Sequence, residues 1–216
     1  MAQTELALIV GAGSGLSGSL ARQCAAAGMR VALAARNTDK LKSFTGASLH
    51  VCDASDPAQV AALFESIDAP DLVVYNPSYR VRGPIVSLNS EEVKQSLMVT
   101  AYGGFLVAQA AAKRMLERGR GSLFFTGASA SVKGYAESAP FAMGKFALRG
   151  LAQSVARELG PGGIHVAHFV IDGRIARSED GALDPDDIAR TYLDVHRQQR
   201  SAWSFEVDLR PWLERF

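Results

Sequence analysis

The chain has little of what marks specialised proteins. Among its 216 residues are only two cysteines, Cys24 and Cys52. They fall in a predicted helix and a predicted strand without metal-ligand spacing, so they read as small core residues in a reducing compartment. Neither sign of charge is in excess: 23 Lys and Arg against 22 Asp and Glu leave +1 at pH 7, which gives no reason to expect nucleic acid or an anionic membrane surface as a partner. No apolar run approaches the roughly 18 residues of a membrane span. Met1-Ala2-Gln3-Thr4-Glu5 also lacks the basic-then-apolar build of a signal peptide, and a cytoplasmic protein is expected. Metal-ligand clusters, a Cys-His nucleophile pair, internal repeats, low-complexity tracts and linkers are missing as well. A single domain over residues 1–216, without a metal, is the expectation.

What is present is a regular alternation. Short apolar runs at 6–10, 31–35, 49–52, 72–75, 123–126 and 166–171 read as strands, and their continuous apolar character suggests burial on both faces. Helical stretches lie between and after them, at about 16–28, 38–44, 56–67, 90–117, 139–160 and 185–197. Asn89 with Glu92 three residues on makes a capping box, and Asp184-Pro185 puts an acid before a first-turn proline. A last strand near 205–209 closes the sheet edge, after which Arg210-Pro211-Trp212-Leu213 packs or reaches a neighbour. The fold class implied is α/β: a doubly wound, Rossmann-type parallel sheet of about seven strands with helices on both faces.

The first strand-to-helix turn reads Gly11-Ala12-Gly13-Ser14-Gly15-Leu16-Ser17-Gly18. In this position glycines let the backbone turn tightly and approach a pyrophosphate resting on the helix N-terminal amides. Two registers fit: Gly13, Gly15 and Gly18 match GxGxxG, whereas Gly11 and Gly15 match GxxxGxG with Ser17 replacing its last glycine. After the second strand comes Ala34-Ala35-Arg36-Asn37, with no carboxylate to accept from a ribose 2′-hydroxyl. Arg36 could instead pair with a 2′-phosphate, favouring NADP(H) over NAD(H), or be a solvated surface arginine. Asp53, past the third strand, either hydrogen-bonds the adenine or caps the turn before Asp56-Pro57.

At this point the order of parts resembles the short-chain dehydrogenase/reductase family over nearly the whole chain. Cys52-Asp53-Ala54 looks like the family's adenine-contacting segment, and the region from Gly121-Ser122-Leu123 through Gly160-Pro161-Gly162-Gly163-Ile164-His165-Val166 follows its centre closely. The resemblance implies an oxidoreductase in which a tyrosine is the general acid or base. A lysine four residues on holds the nicotinamide ribose, a serine thirteen residues before the tyrosine orients the carbonyl, and an asparagine supports a proton relay. Here Lys145 is kept, but the tyrosine position is Phe141, the serine position Ala128, and the asparagine position Thr100. The family's Asn-Asn-Ala-Gly reads Tyr75-Asn76-Pro77-Ser78, keeping Asn76, and its Pro-Gly reads Asp172-Gly173. The cofactor-binding set carried over is Gly11, Gly13, Ser14, Gly15, Leu16, Arg36, Asp53, Ala54, Asn76, Lys145, Asp172 and Gly173.

Phenylalanine cannot pass a proton and alanine cannot hydrogen-bond a carbonyl, so the usual mechanism should fail. Two function classes remain: an NADPH-dependent oxidoreductase with an atypical proton donor, or a silent cofactor-binding sensor, scaffold or partner subunit. Tyr135, six positions before Phe141, is a substitute donor, with Tyr79 and Tyr102 behind it and Ser129, Ser131 and Ser138 near the lost serine. The segment 174–183 is short and polar, which argues against an enclosed steroid-like substrate. Arg80 and Arg82 either attract an anionic small-molecule substrate or are solvated. His165 and His168 lie three apart on the sixth strand, on opposite faces, as core or interface residues. The family implies a homodimer or homotetramer through its two long helices, with Ala108, Ala111, Ala112, Ala147 and Ala152 allowing close packing.

Overall fold

The computed structural model describes residues 4–213. Seven parallel strands form one sheet in the order β3-β2-β1-β4-β5-β6-β7. They are β1 (Leu6–Val10), β2 (Arg30–Ala35), β3 (Ser48–Val51), β4 (Leu72–Tyr75), β5 (Gly121–Thr126), β6 (Ile164–Ile171) and β7 (Glu206–Leu209). β1, β4 and β6 are buried at every residue, as their unbroken apolar runs require, whereas the edge strand β3 is partly exposed. Helices α1 (Leu16–Ala26) and α6 (Pro185–His196) cover one face; α2 (Pro57–Glu65), α4 (Gly103–Leu116) and α5 (Ala139–Leu159) cover the other. The strand order reverses between β1 and β4, and the carboxyl ends of those strands open onto the crevice where such sheets take ligands.

The helix starts carry side-chain caps at the expected residues. Asp56 accepts from Ala58 and Gln59 at the head of α2, Asn89 accepts from Glu91 and Glu92 at the head of α3 (Ser90–Leu97), and Asp184 accepts from Asp186 ahead of Pro185.

Three expectations are corrected. Residues 38–44 do not form a helix; one 3₁₀ turn, Asp39–Leu41, suffices, because the chain leaves it through Gly46 at a φ of 85° to enter β3. The long helix 90–117 is broken by a π-turn, Met98–Tyr102, between α3 and α4. The Tyr75 hydroxyl donates to the Val99 carbonyl in that turn, and a Cβ on Gly103 would lie 2.5 Å from the same hydroxyl and 2.7 Å from the Ala54 carbonyl. Close approach to β4 and the wider turn therefore go together. Finally, Ala108, Ala111 and Ala152 face this chain's own core and cannot touch a second subunit; Ala147 is exposed, beside exposed Phe146 and Met143.

Candidate functional site

The turn from β1 into α1 is held from below and left open above. Gly11 sits at a φ of 76°, and a Cβ there would come within 2.6 Å of the Pro77 backbone. Gly18 is fixed by space too, since its Cβ would meet the Phe44 ring at 2.9 Å and the Gly13 carbonyl at 3.2 Å. Gly13 and Gly15, by contrast, have nothing within 4 Å of an added Cβ. Two glycines thus serve the chain's own packing, and two leave room for something else.

Both sequence registers draw on this turn. Ser17, buried where the second register has its last glycine, donates to the Gly11 carbonyl at 3.2 Å and accepts from Asn76 Nδ2 at 2.7 Å. That pair ties the glycine turn to the end of β4. Gly15 caps α1 without a side-chain acceptor, and no acid lies in the first turn, so the helix presents amides and the positive end of its dipole.

A cavity of about 750 Å³ opens over this turn, lined by Gly11, Gly13, Ser14, Arg36, Asp53 and Ala54 among others. Lys40, which the sequence reading missed, stands on the same wall as Arg36. Asp53 Oδ1 accepts from the Ser55 amide and hydroxyl at 2.9 and 2.7 Å, so it shapes the turn while still lining the cavity; the α2 cap is Asp56. Asn76 and Ser78 belong to this cavity and also to a second one of about 740 Å³, so the two adjoin. An elongated ligand with an anionic middle fits the pair: room over glycines, unpaired amides, and cations at one end.

The second cavity gathers Leu16, Ala128, Phe141, Lys145 and Gly173. Lys145 is buried on α5, and its Nζ donates to the Thr126 carbonyl at 2.6 Å. Burial pulls its pKa from 10.5 to about 8. Two cations lie over the Phe141 ring: Arg80 Cζ is 4.8 Å and Lys145 Nζ 5.9 Å from its centre.

Of the substitute donors, Tyr135 lines this cavity, half exposed, with Lys133 Nζ 5.7 Å from its ring. Ser129 and Ser138 line it as well, whereas Ser131 is buried and accepts from the Ala128 amide at 3.1 Å. Tyr102 lies on the π-turn, stacked on Phe105 and outside the cavity lining. Tyr79 is held by its backbone, donating to Thr100 Oγ1 at 3.3 Å and accepting from Ser96 Oγ at 2.7 Å. Thr100 itself is fully buried on the π-turn, against the place a Gly144 Cβ would take, and is not on the cavity wall.

Gly173 reaches the cavity but the Asp172 carboxylate is engaged elsewhere, 3.0 Å from Arg210 and 3.6 Å from Lys133. The short segment after it is tied down. Arg174 pairs with Glu179, Arg177 pairs with Asp186, and Trp212 Nε1 donates to Asp180 at 3.1 Å. Pro211 packs on Gly173, while Trp212 and Leu213 stay exposed. His165 stacks on Trp203 on one side of the sheet; His168, fully buried on the other, contacts Glu206 at 3.2 Å. Cys24 and Cys52 are buried free thiols, their pKa values raised by burial to about 12 and about 11. Among the described residues no helix is long and apolar enough to cross a membrane.

Comparison with known proteins gives this arrangement a context. The family model for short chain dehydrogenase matches residues 5–173. A short-chain dehydrogenase structure from Rhodopseudomonas palustris is 31% identical, with a TM-score of 0.87, covering 97% of this chain and 100% of that one. A metagenomic short-chain oxidoreductase solved in complex with NADP is 26% identical, with a TM-score of 0.86, covering 97% and 98%. D-threitol dehydrogenase of Mycolicibacterium smegmatis is 28% identical over 174 residues, 75% of this chain and 67% of that protein.

Proposed function

Because the chain belongs to the short-chain dehydrogenase/reductase family of oxidoreductases, we propose that it binds NADP(H) across the two adjoining cavities and acts on a carbonyl or alcohol without the family's usual proton donor. The observation that carries this reading is the shared wall at Asn76 and Ser78, with Arg36 and Lys40 in one cavity and Lys145 in the other. Two cations where a ribose 2′-phosphate would lie favour NADP(H) over NAD(H). Gly13, Ser14 and Gly15 would cradle the pyrophosphate, Asp53 and Ala54 would meet the adenine, and Asn76, Lys145 and Gly173 would hold the nicotinamide end.

When bound, the nicotinamide supplies or accepts hydride. What this chain adds is position and environment. Lys145 places a cation deep beside Phe141 and holds it there through the Thr126 carbonyl. Phe141 and Ala128 offer no proton and no hydrogen bond to a reacting oxygen, so the proton comes from water or from Tyr135, the tyrosine on the same cavity wall.

The test is turnover. The parent protein and a Phe141→Tyr/Ala128→Ser variant are assayed with NADPH on a panel of aldehydes and ketones. Parental activity supports the atypical oxidoreductase. Activity that appears only in the variant supports the second reading, favoured by the two substitutions: a cofactor-binding protein silent in catalysis that acts as sensor, scaffold or partner subunit. Exposed Phe105 and Leu116 on α4, and Met143 and Phe146 on α5, support assembly as a homodimer or homotetramer through those helices.

A further inference from the structure

The cavity beside Lys145 carries more positive charge than the proposed cofactor accounts for. Arg80, Arg82, Arg174 and Lys145 line it, against one acid, Glu137. Arg174 is neutralised by Glu179. Among the described residues, no carboxylate lies within ion-pair distance of Arg80 or Arg82, and no group accepts a hydrogen bond from either guanidinium; Glu137 lines the wall without pairing with them. Arg80 is held below its ordinary pKa by burial and by the neighbouring positive charge of Arg82.

Nor is this a loose pair of surface arginines. The loop bearing them is fixed on both sides: the Tyr79 backbone bonds to buried Thr100 and Ser96, and the Gly83 amide donates to the Glu137 carbonyl at 3.0 Å. Val81, between the arginines, is buried and anchors the loop, while both arginines are exposed at the cavity lining. Arg80 is further placed by the Phe141 ring, 4.8 Å from its Cζ. A phenylalanine where a proton donor would stand is thus also a platform for a cation.

We propose that Arg80, seated on Phe141, and Arg82 form an anion-recognising wall of this cavity, and that the site takes small ligands carrying a carboxylate. The two arginines offer N–H forks suited to bidentate pairing with a carboxylate. Lys145 Nζ and Arg80 Cζ both lie within 6 Å of the Phe141 ring centre and line the same cavity, so the arginine wall adjoins the buried lysine. This deepens the oxidoreductase reading and rests on it only for what happens to the ligand's other end; the carboxylate site itself does not require turnover.

The experiment is calorimetric titration of the NADPH-treated and the nucleotide-free protein with benzoate, benzamide and inorganic phosphate, with NADPH binding followed separately by nicotinamide fluorescence. Benzoate is expected to bind at least about tenfold tighter than benzamide, with Arg80→Ala and Arg82→Ala each weakening benzoate about tenfold and leaving benzamide and NADPH unchanged. Arg80→Lys and Phe141→Leu should each weaken benzoate by about threefold, because the charge or its seat is kept in part. Equal affinity for benzoate and benzamide, loss of both in Arg80→Ala, or tighter binding of phosphate than of benzoate overturns the proposal. A protein that fails to bind NADPH yet binds benzoate through both arginines refutes the cofactor reading and leaves this one standing.

Discussion

Lys145→Met should make the protein more stable at neutral pH. Burial draws the Lys145 pKa from 10.5 down to about 8. At ~1.4 kcal/mol per pH unit, holding the ammonium in the fold at pH 7 costs about 3 kcal/mol. Methionine removes that cost and fills similar volume, but leaves the Thr126 carbonyl without the donor now 2.6 Å away, a loss of about 1 kcal/mol. A net gain of about 2 kcal/mol is therefore expected at pH 7. The sign changes with pH. Between about 8 and 10.5 the unfolded lysine binds a proton that the folded one has lost, so parental stability rises relative to the variant across that window. Above it, the neutral amine still donates to Thr126 and the parent should be the more stable by about 1 kcal/mol. Denaturant unfolding of both proteins at pH 7 and near pH 10.5 measures the difference. A difference that does not move with pH, or a variant less stable at pH 7, would refute the reasoning. A stabilising substitution here would mean that this lysine is kept at the expense of stability, which is expected of a group serving a site.

Phe141→Tyr with Ala128→Ser should raise NADPH-dependent carbonyl reduction by roughly 10²–10⁴, the usual worth of a placed general acid, and steady-state absorbance at the nicotinamide band reads it. Gly103→Ala should cost ~1–3 kcal/mol in denaturant unfolding, because its Cβ would fall 2.7 Å from the Ala54 backbone carbonyl, which cannot step aside as a side chain can. His168, fully buried with a pKa lowered by burial to about 4, should make the fold acid-sensitive: stability intact above about 6.5 is lost as pH falls toward 4, and His168→Gln should flatten that part of the thermal-unfolding profile. Light scattering at micromolar concentration should report a dimer or tetramer, and Phe105→Glu with Phe146→Glu should return it to monomer if α4 and α5 form the contact.

The parallel sheet was legible because buried strands need unbroken apolar runs, and the helix starts were legible because Asp56, Asn89 and Asp184 accept from the amides that follow them. The break in the long helix was not, since periodicity is nearly the same for an α-helix with one π-turn; the pair Gly103-Gly104 after Tyr102 was the available signal. Ala108, Ala111 and Ala152 were misassigned to an interface because small residues look alike whether they meet a neighbour or their own sheet. In the site, Phe141, Lys145 and Ala128 could be placed together through the resemblance to the family, and Tyr135 through its place six residues before Phe141. The Ser17 to Asn76 bond, the addition of Lys40 beside Arg36, and the seat of Arg80 on Phe141 depend on contacts between distant segments, which spacing alone does not reveal.

Titration of the purified protein with NADPH and with NADH, followed by nicotinamide fluorescence, beside an Arg36→Ala variant, tests the central claim most directly. NADPH should bind more tightly than NADH, and Arg36→Ala should weaken NADPH by at least about tenfold while leaving NADH nearly unchanged, as loss of one charge-assisted contact to a phosphate requires. Failure of both nucleotides to bind, or a preference for NADH that Arg36→Ala does not alter, would contradict it.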